Sequence, residues 1–459
     1  MQSSLTEGKV GSLLLRFSLP ILLAGLVQMS HGLVNVFFLN RFASPASVAG
    51  ALNGILSVMM ITSLFMGLLS GGMIMLGQFV GAGQDDSSTK TVGNAITLQL
   101  MMGILATGLI FALGGWLTNI LGVPTAVDEN GISAAAEAMR YIRTMAFGTI
   151  FQMGFNLINS LLRALGDSKR PMIFIAIAVG IHIALDYVFI GMLGLGAGGA
   201  ALASVLANIC GLIIALVYLL RKKLPFAFKF GNIRPNREIM KKTFKLGVPI
   251  SLQVALNTVS FLVIARIING MGVFAAAANS NVNSIINLIF IVPMAIGNAL
   301  SSISAQNLGA GKTDRALKST KLGILFALVI AVPATIIANV IPTELVSLIA
   351  DDPYVIRASA EFIVPFSWDL VILSFMLCVT GFLNGCGRTT FVAIAETVAA
   401  FAVRIPVTWI LSRVPGATLF HVGIGTPAAT LASLIMLLVY YKVKLSCGKL
   451  DTLRIAGEA

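Results

Sequence analysis

The sequence predicts an all-α polytopic membrane protein with twelve transmembrane helices in two pseudo-symmetric six-helix lobes. Three observations predict it. The 459 residues are 57% hydrophobic and only 11% charged, with a mean hydropathy of +0.94, whereas soluble domains carry about 25% charged residues. No soluble fold covers so much apolar surface, and in lipid the backbone must satisfy its own hydrogen bonds, which makes the spans helices. The apolar residues fall into about twelve runs that match the roughly 20 residues a bilayer core requires. Finally, the chain repeats itself. Leu19-Pro20-Ile21 and Val248-Pro249-Ile250 each open a long run, while Gln78 to Gly81-Ala82-Gly83 and Gln306 to Gly309-Ala310-Gly311 each end one. Tyr141-Ile142 through Leu162 and Gly166 matches Phe362-Ile363 through Leu383 and Gly387. The offset is close to half the chain, the mark of two similar membrane lobes.

In order, the spans are expected near 13–40, 47–76, 92–115, 141–163, 171–193 and 199–220, then 245–268, 274–303, 322–341, 361–384, 391–412 and 421–441. Six is even, so both halves enter from the same side and the repeats are parallel, related by an axis along the membrane normal. Residues 117–140 and 342–360 read as matching outer loops, and Gly191 to Gly199 as a tight outer hairpin. Residues 221–245 carry Arg221-Lys222-Lys223, Pro225, Pro235 and Lys241-Lys242, too polar to cross lipid. They read as a cytoplasmic linker, in part an amphipathic surface helix. The expected organisation is an amino-terminal lobe at 1–220, a basic linker at 221–244 and a carboxy-terminal lobe at 245–459 with a short cytoplasmic tail. Gly67 with Gly71 and Gly77 with Gly81 have the small-xxx-small spacing that lets helices approach closely.

The formal charge is +13, and its distribution explains it. Most Lys and Arg fall on one side: Lys9, Arg16, Lys90, Arg163 to Arg170, Arg221 to Lys245, Lys312 to Lys321, Arg388 and Lys442 to Arg454. Asp128, Glu129, Glu137, Glu344, Asp351, Asp352 and Glu361 fall on the other. This positive-inside bias puts both termini in the cytoplasm of a multi-pass plasma-membrane protein and removes the case for a nucleic-acid partner. Cys210, Cys378, Cys386 and Cys447 have no metal-ligand spacing and read as packing residues and a free thiol. The first apolar run lacks a cleavage site and reads as an uncleaved span.

Ionisable groups at membrane depth are costly, about 2.5–3.5 kcal/mol on insertion scales, and so point to function. His31 lies in span one, His182 and Asp186 in span five, Asp369 in span ten, and Glu396 and Arg404 in span eleven. His182 and Asp186 are one turn apart on one face. A carboxylate beside an imidazole holds and passes a proton near neutral pH; the alternative is a structural hydrogen bond that locks the helix. Glu396 and Arg404, two turns apart, reach one interior; Arg404 either neutralises an acid or snorkels outward. Asp369, placed nearer the outer end of its span, is either functional or interfacial and solvated. Asn156 and Asn159 on span four either line a polar cavity or hydrogen-bond in the core. The in-span Met and Phe clusters read as packing. The glycine-rich turns are loop glycines with no Walker context, so ATP is not the expected energy source, and no nucleophile–base or metal set argues for an enzyme. An ion gradient remains.

These residues resemble the MATE (multidrug and toxic compound extrusion) family over nearly the whole chain. The resemblance is carried by Leu19-Pro20-Ile21, Gly81-Ala82-Gly83, Leu162-Arg163-Ala164-Leu165-Gly166-Asp167, Leu185-Asp186-Tyr187, Pro249-Ile250, Gln306 to Gly311, Leu383-Asn384-Gly385-Cys386-Gly387-Arg388 and Arg404-Ile405-Pro406. It implies two six-helix lobes, a central cavity, alternating access, and export of organic, often cationic, compounds in exchange for H⁺ or Na⁺. The details are closest to the DinF-like branch, whose amino-terminal coupling site combines a span-one Asp, a span-five Asn and Asp, and a span-six Thr. Those positions here are Asn35, His182, Asp186 and Ser204. One carboxylate is missing and an imidazole is added. A single negative charge suits a proton better than a hard cation, which favours several oxygen ligands. In another branch a span-seven Glu serves the second lobe; that position here is Asn257, leaving Asp369 and Glu396 as the acidic candidates there. Gln28, Asn156, Asn159 and Asn257 are the substrate-cavity candidates.

The expectation is therefore a secondary antiporter, acting as a monomer among membrane lipids without a cofactor. It would exchange amphipathic, cationic organic molecules for H⁺ or Na⁺, with coupling centred on Asp186. Protonation there would change the packing of spans one, five and six and bias the two access states. Two rivals stand beside this. A lipid-linked precursor flippase would need a basic lumen, and few Lys or Arg lie at mid-membrane. A non-transporting receptor or scaffold would show no ion flux coupled to substrate.

Overall fold

A computed structural model describes residues 5–127, 131–222 and 224–446. The expectations for Asp128, Glu129, Lys223, Cys447 and the tail beyond fall outside these residues. Among the described residues the fold is helical, with one isolated bridge between Val127 and Ser133. Twelve helical segments are long and apolar enough to cross a membrane.

The first half contains α1 (Val10–Phe42), α2 (Pro45–Gly81), α3 (Asp85–Ile120), α4 (Ala134–Ala164), α5 (Lys169–Asp186) and α6 (Gly196–Arg221). The second contains α7 (Arg237–Asn269), α8 (Val273–Gly309), α9 (Thr313–Val340), the short α10 (Pro342–Ser347), α11 (Pro353–Gly385), α12 (Thr389–Val398), α13 (Ile405–Leu411), α14 (Leu419–Gly423) and α15 (Gly425–Ser446). The fifth crossing is α5 continued by a π-helical turn, Tyr187–Met192. The eleventh is α12, a π-helical turn at Ala399–Arg404, and α13.

Several helices run past the apolar runs that announce them, and the starts of α4, α7 and α11 are capped by polar side chains. The outer loop expected at 117–140 is shortened at both ends, since α3 reaches Ile120 and α4 starts at Ala134. Ser133 Oγ accepts from the Ala136 amide at the start of α4. Glu137, expected in that loop, is buried in the first turn of α4. It accepts from Arg140 at 2.9 Å and from the Ala197 amide that opens α6 at 2.8 Å. The 342–360 loop likewise holds α10, and Asp352 caps α11 by accepting from the Tyr354 and Val355 amides. The linker contains one turn of 3₁₀ helix, Phe230–Asn232. It ends where Asn236 accepts from the Ile239 amide and α7 begins, eight residues before the expected 245.

Two compact units emerge, which are described separately. Among the described residues, one comprises Leu23–Leu76 and Gln84–Gly247; the other takes residues 5–22, Gly77–Gly83 and residues 248–446. The expected boundaries at 220 and 245 leave out two exchanges. Asn307 donates to the Leu5 carbonyl, Lys312 to that of Thr6, and Arg315 to those of Glu7 and Gly8. These bonds, with burial of Leu5, Leu14 and Phe17 against Ile296, Leu300 and Ile303, tie the start of the chain to the second unit. The end of α2 joins it through the repeated Gln-x-x-Gly motif. A Cβ on Gly81 would strike the Gln306 carbonyl, and one on Gly309 would strike that of Gln78. The two copies thus cross backbone to backbone, and Gly81 and Gly309 are the last residues of helices rather than loop glycines.

In the first unit α4 packs against α3 and α6 around Ile110, Ile142, Met145 and Ala200. In the second, α11 packs with α8 around Phe362, Phe366, Ile286 and Val282. Outward-facing Leu33, Ile104, Phe147 and Val439 are more than half exposed, as residues that meet lipid tails rather than water.

Candidate functional site

In the first unit, four helices bring polar groups to one buried place. His182 and Asp186, one turn apart on α5, are both fully buried, with His182 Nδ1 3.3 Å from Asp186 Oδ2. This is a charge contact without the alignment of a hydrogen bond, and neither Asp186 oxygen has a hydrogen-bond partner. The other ring nitrogen, His182 Nε2, lies 3.0 Å from Ser204 Oγ on α6. Tyr141 of α4 neighbours Ser204 on its other side. From α1, His31 stacks on His182 with ring centroids 3.8 Å apart and planes 24° apart. His31 is partly exposed, whereas His182 is not. One turn further along α1, Asn35 is buried with its Oδ1 unpartnered. The expected set of Asn35, His182, Asp186 and Ser204 thus includes a chain of direct contacts through Asp186, His182 and Ser204. His31 and Tyr141 were not assigned to it from sequence. Their side chains arrive from helices far away in the chain; only the helix-facing position of His31, four residues before Asn35, hinted at it.

The π turn begins at the residue after Asp186. Such a turn inserts a residue and rotates the helix beyond it by about 100°, and it occurs often at functional sites. The Asp186 carboxylate therefore sits where the regular ladder of α5 ends.

In the second unit, Asp369 lies in the middle of α11 and is 2% exposed. It is neither near the outer end nor interfacial, because α11 begins eight residues before the apolar run. Asp369 is within hydrogen-bond reach of Thr430 on α15. Glu396, on α12, accepts from Gln253 Nε2 at 2.6 Å and from Thr380 Oγ1 at 3.1 Å. Asn257 lies one turn after Gln253 on α7, and its Oδ1 accepts from Arg404 Nη1 at 3.3 Å. Arg404 does not snorkel: it is buried, with its guanidinium 4.5 Å from the Phe261 ring centroid.

The remaining cavity candidates are scattered in their environments. Gln28 is exposed, Asn156 is half-buried with Nδ2 4.0 Å from Met66 Sδ, and Asn159 is fully buried with neither amide atom hydrogen-bonded. Cys210, Cys378 and Cys386 are free thiols. Among the described residues no group of three or more His, Cys, Asp or Glu side chains is placed to hold a metal ion.

Comparison with known proteins decides the family. The MatE family model matches residues 20–188 and again 249–410, one copy in each half of the repeat. The chain belongs to the MATE family. MATE proteins are membrane transporters rather than enzymes, and this chain is a multi-pass member. It is 26% identical over 435 residues to the probable multidrug resistance protein YoeA of Bacillus subtilis, covering 93% of this chain and 92% of that one. Identity to the probable multidrug resistance protein YpnP of the same organism is 25% over 442 residues, covering 95% and 96%. The fold matches the outward-facing structure of a multidrug resistance MATE transporter with a TM-score of 0.87 at 20% identity, covering 97% of this chain and 98% of the other. Within this MATE fold, the two matched copies carry different polar chemistry. The first ends just past the Asp186 pair, and the second takes in Asp369, Glu396 and Arg404.

Proposed function

We propose that this MATE protein is a plasma-membrane antiporter that exports amphipathic organic cations in exchange for protons, with both termini in the cytoplasm. The observation that carries the coupling site is Asp186. It is a fully buried carboxylate to which no hydrogen bond is donated, in contact with one imidazole that is itself stacked on another. A carboxylate left without donors is poorly stabilised as an ion, so its state depends on what reaches it. A proton neutralises it without needing the several oxygen ligands a hard cation prefers. His31, the partly exposed member, gives the buried pair a route to the outside. Stacked imidazoles repel when both are charged, so the pair accommodates one added proton at a time. Neutralising Asp186 changes what α1, α5 and α6 hold in common, and alternating access results as a shift between two states that differ in proton affinity.

The multidrug names of relatives such as YoeA support an organic substrate, and positive-inside charge supports the orientation. In this reading the transporter works as a monomer among lipids, without ATP, nucleic acid or a resident cofactor. The test is uptake of a cationic dye into proteoliposomes under an imposed pH gradient or an imposed Na⁺ gradient. Uptake driven by the pH gradient alone is expected. Uptake driven only by Na⁺ would overturn the proton reading, and no uptake of any of several dyes under either gradient would overturn the multidrug one.

A further inference from the structure

At the basic end of the first unit, where α4 stops and α5 begins, two cations are gathered on one buried carboxylate. Asp167 accepts from the Arg170 amide at 3.2 Å and from Arg170 Nη1 at 3.0 Å. Lys222 Nζ donates to the same oxygen that holds the guanidinium, Oδ2, at 3.3 Å. Arg170 lies in the first turn of α5, whereas Lys222 follows the last residue of α6. Both also lie against one ring: the Arg170 guanidinium carbon is 5.6 Å and Lys222 Nζ 5.4 Å from the Tyr218 centroid. Tyr218 in turn meets Phe174 of α5 edge-on at 5.5 Å, which joins the two helices beneath the charges. Positive-inside bias asks only for cations on this side; it does not ask that two of them share one acid and one ring. Both cations stay partly exposed, and each keeps N–H donors beyond those that Asp167 takes. Two cations against one acid leave one positive charge over.

The surface leading away from this clamp is apolar. Ile173 and Ile177, one and two turns on from Arg170 along the same face of α5, are exposed. Tyr218 stands where the apolar run of α6 gives way to Arg221, the level a tyrosine takes at a membrane surface. The second repeat is built otherwise. At the offset that matches Gly166 with Gly387, Asp167 becomes Arg388 and Arg170 becomes Phe391. Phe391 stacks on Tyr440 with centroids 3.9 Å apart and planes 12° apart, an aromatic pair where the first unit sets a cation on a ring.

We propose that Arg170 and Lys222 bind the phosphate of one anionic phospholipid, whose acyl chains run along Ile173 and Ile177. The surplus positive charge matches the single negative charge of a phosphodiester such as phosphatidylglycerol. A zwitterionic headgroup brings its own cation to a place that already has one too many. Binding here does not depend on proton exchange at Asp186.

The experiment uses the full-length, delipidated protein in detergent. Its thermal unfolding midpoint is measured with added phosphatidylglycerol, phosphatidylcholine or inorganic phosphate at equal ionic strength. Phosphatidylglycerol should raise the midpoint saturably by several degrees, and the other two should leave it nearly unmoved. Arg170→Gln and Lys222→Gln should each at least halve that rise. Lys90→Gln, which removes a cation paired with Asp86 elsewhere on the unit, should keep it in full. No saturable rise in the wild type would overturn the proposal, and so would an equal rise with phosphatidylcholine. An equal rise with inorganic phosphate would make this a site for a free anion and overturn the lipid. If Arg170→Gln yields no folded protein, Lys222→Gln decides, since Lys222 lies beyond the end of α6: a halved rise supports the clamp, and an undiminished one overturns it.

Discussion

The two polar clusters of this transporter lie in corresponding halves of a repeated fold, yet they treat a buried carboxylate in opposite ways. Around Asp186 the neighbours are two imidazoles, a hydroxyl and a phenol, and neither carboxylate oxygen accepts a hydrogen bond. Around Glu396 donors come from α7 and α11, and an arginine on the same crossing supplies a full positive charge. The first arrangement leaves its charge open to a mobile partner; the second holds its charge with donors. Duplication gave both halves the same helices, and the difference lies in a few side chains and in where the π turn falls. In the fifth crossing it comes after 18 residues of α-helix and begins just past the acid. In the eleventh it comes after 10 residues and ends on the base.

The most severe way to break this comparison is to remove one charge from each cluster. Arg404→Met should cost about 3–5 kcal/mol, because it takes a buried guanidinium from the cluster around Glu396 and the donor from the Asn257 oxygen. Asp186→Asn should cost little or stabilise, since it removes a charge that nothing holds. Thermal unfolding of both variants checks this; equal losses would mean that the clusters do the same job. The glycine crossing supplies the symmetric control. Gly81→Val and Gly309→Val each drive a side chain into the opposing backbone, and each should cost about 1–3 kcal/mol or more. Similar losses in folded yield are expected, and a loss confined to one copy would contradict the reciprocal packing. Next comes Gln253→Leu, which takes one donor from Glu396 and should cost about 1–3 kcal/mol. Ser204→Ala in the first cluster should cost less, since the hydroxyl holds no carboxylate. The smallest effect is expected at His31. His31→Phe keeps a ring against His182, so stability should change little, while pH-driven uptake slows less than in Asp186→Asn. A stability loss as large as that of Arg404→Met would make His31 a structural post instead.

Much of the fold was legible in the sequence because lipid leaves the chain few options. Long apolar runs must be helices, and the offsets between Leu19-Pro20-Ile21 and Val248-Pro249-Ile250 revealed the duplication. The helix ends were not legible, since Ser133, Asn236 and Asp352 cap with the same polar residues that mark loops. The contact of His182 with Asp186 stems from a one-turn spacing and was readable. The stack with His31, the placing of Tyr141 beside Ser204 and the bond of Arg404 to Asn257 join residues far apart in the chain, and no local pattern encodes them. Nor does composition announce a π turn, which is why the spacing of Glu396 and Arg404 suggested a shared interior without revealing that Arg404 bonds Asn257. The tie from residues 5–8 to the α8–α9 turn was invisible for another reason: the bonds from Asn307, Lys312 and Arg315 end on backbone carbonyls, which every residue carries.

Coupling of proton movement to substrate movement at Asp186 is tested most directly by separating the two. Proteoliposomes holding wild type or Asp186→Asn are loaded with a cationic dye. Exchange against external dye is measured without any gradient, then accumulation is measured under a pH gradient. Asp186→Asn is expected still to exchange dye but no longer to accumulate it against a concentration difference. Full gradient-driven accumulation by Asp186→Asn would contradict it and move the coupling site away from the first unit.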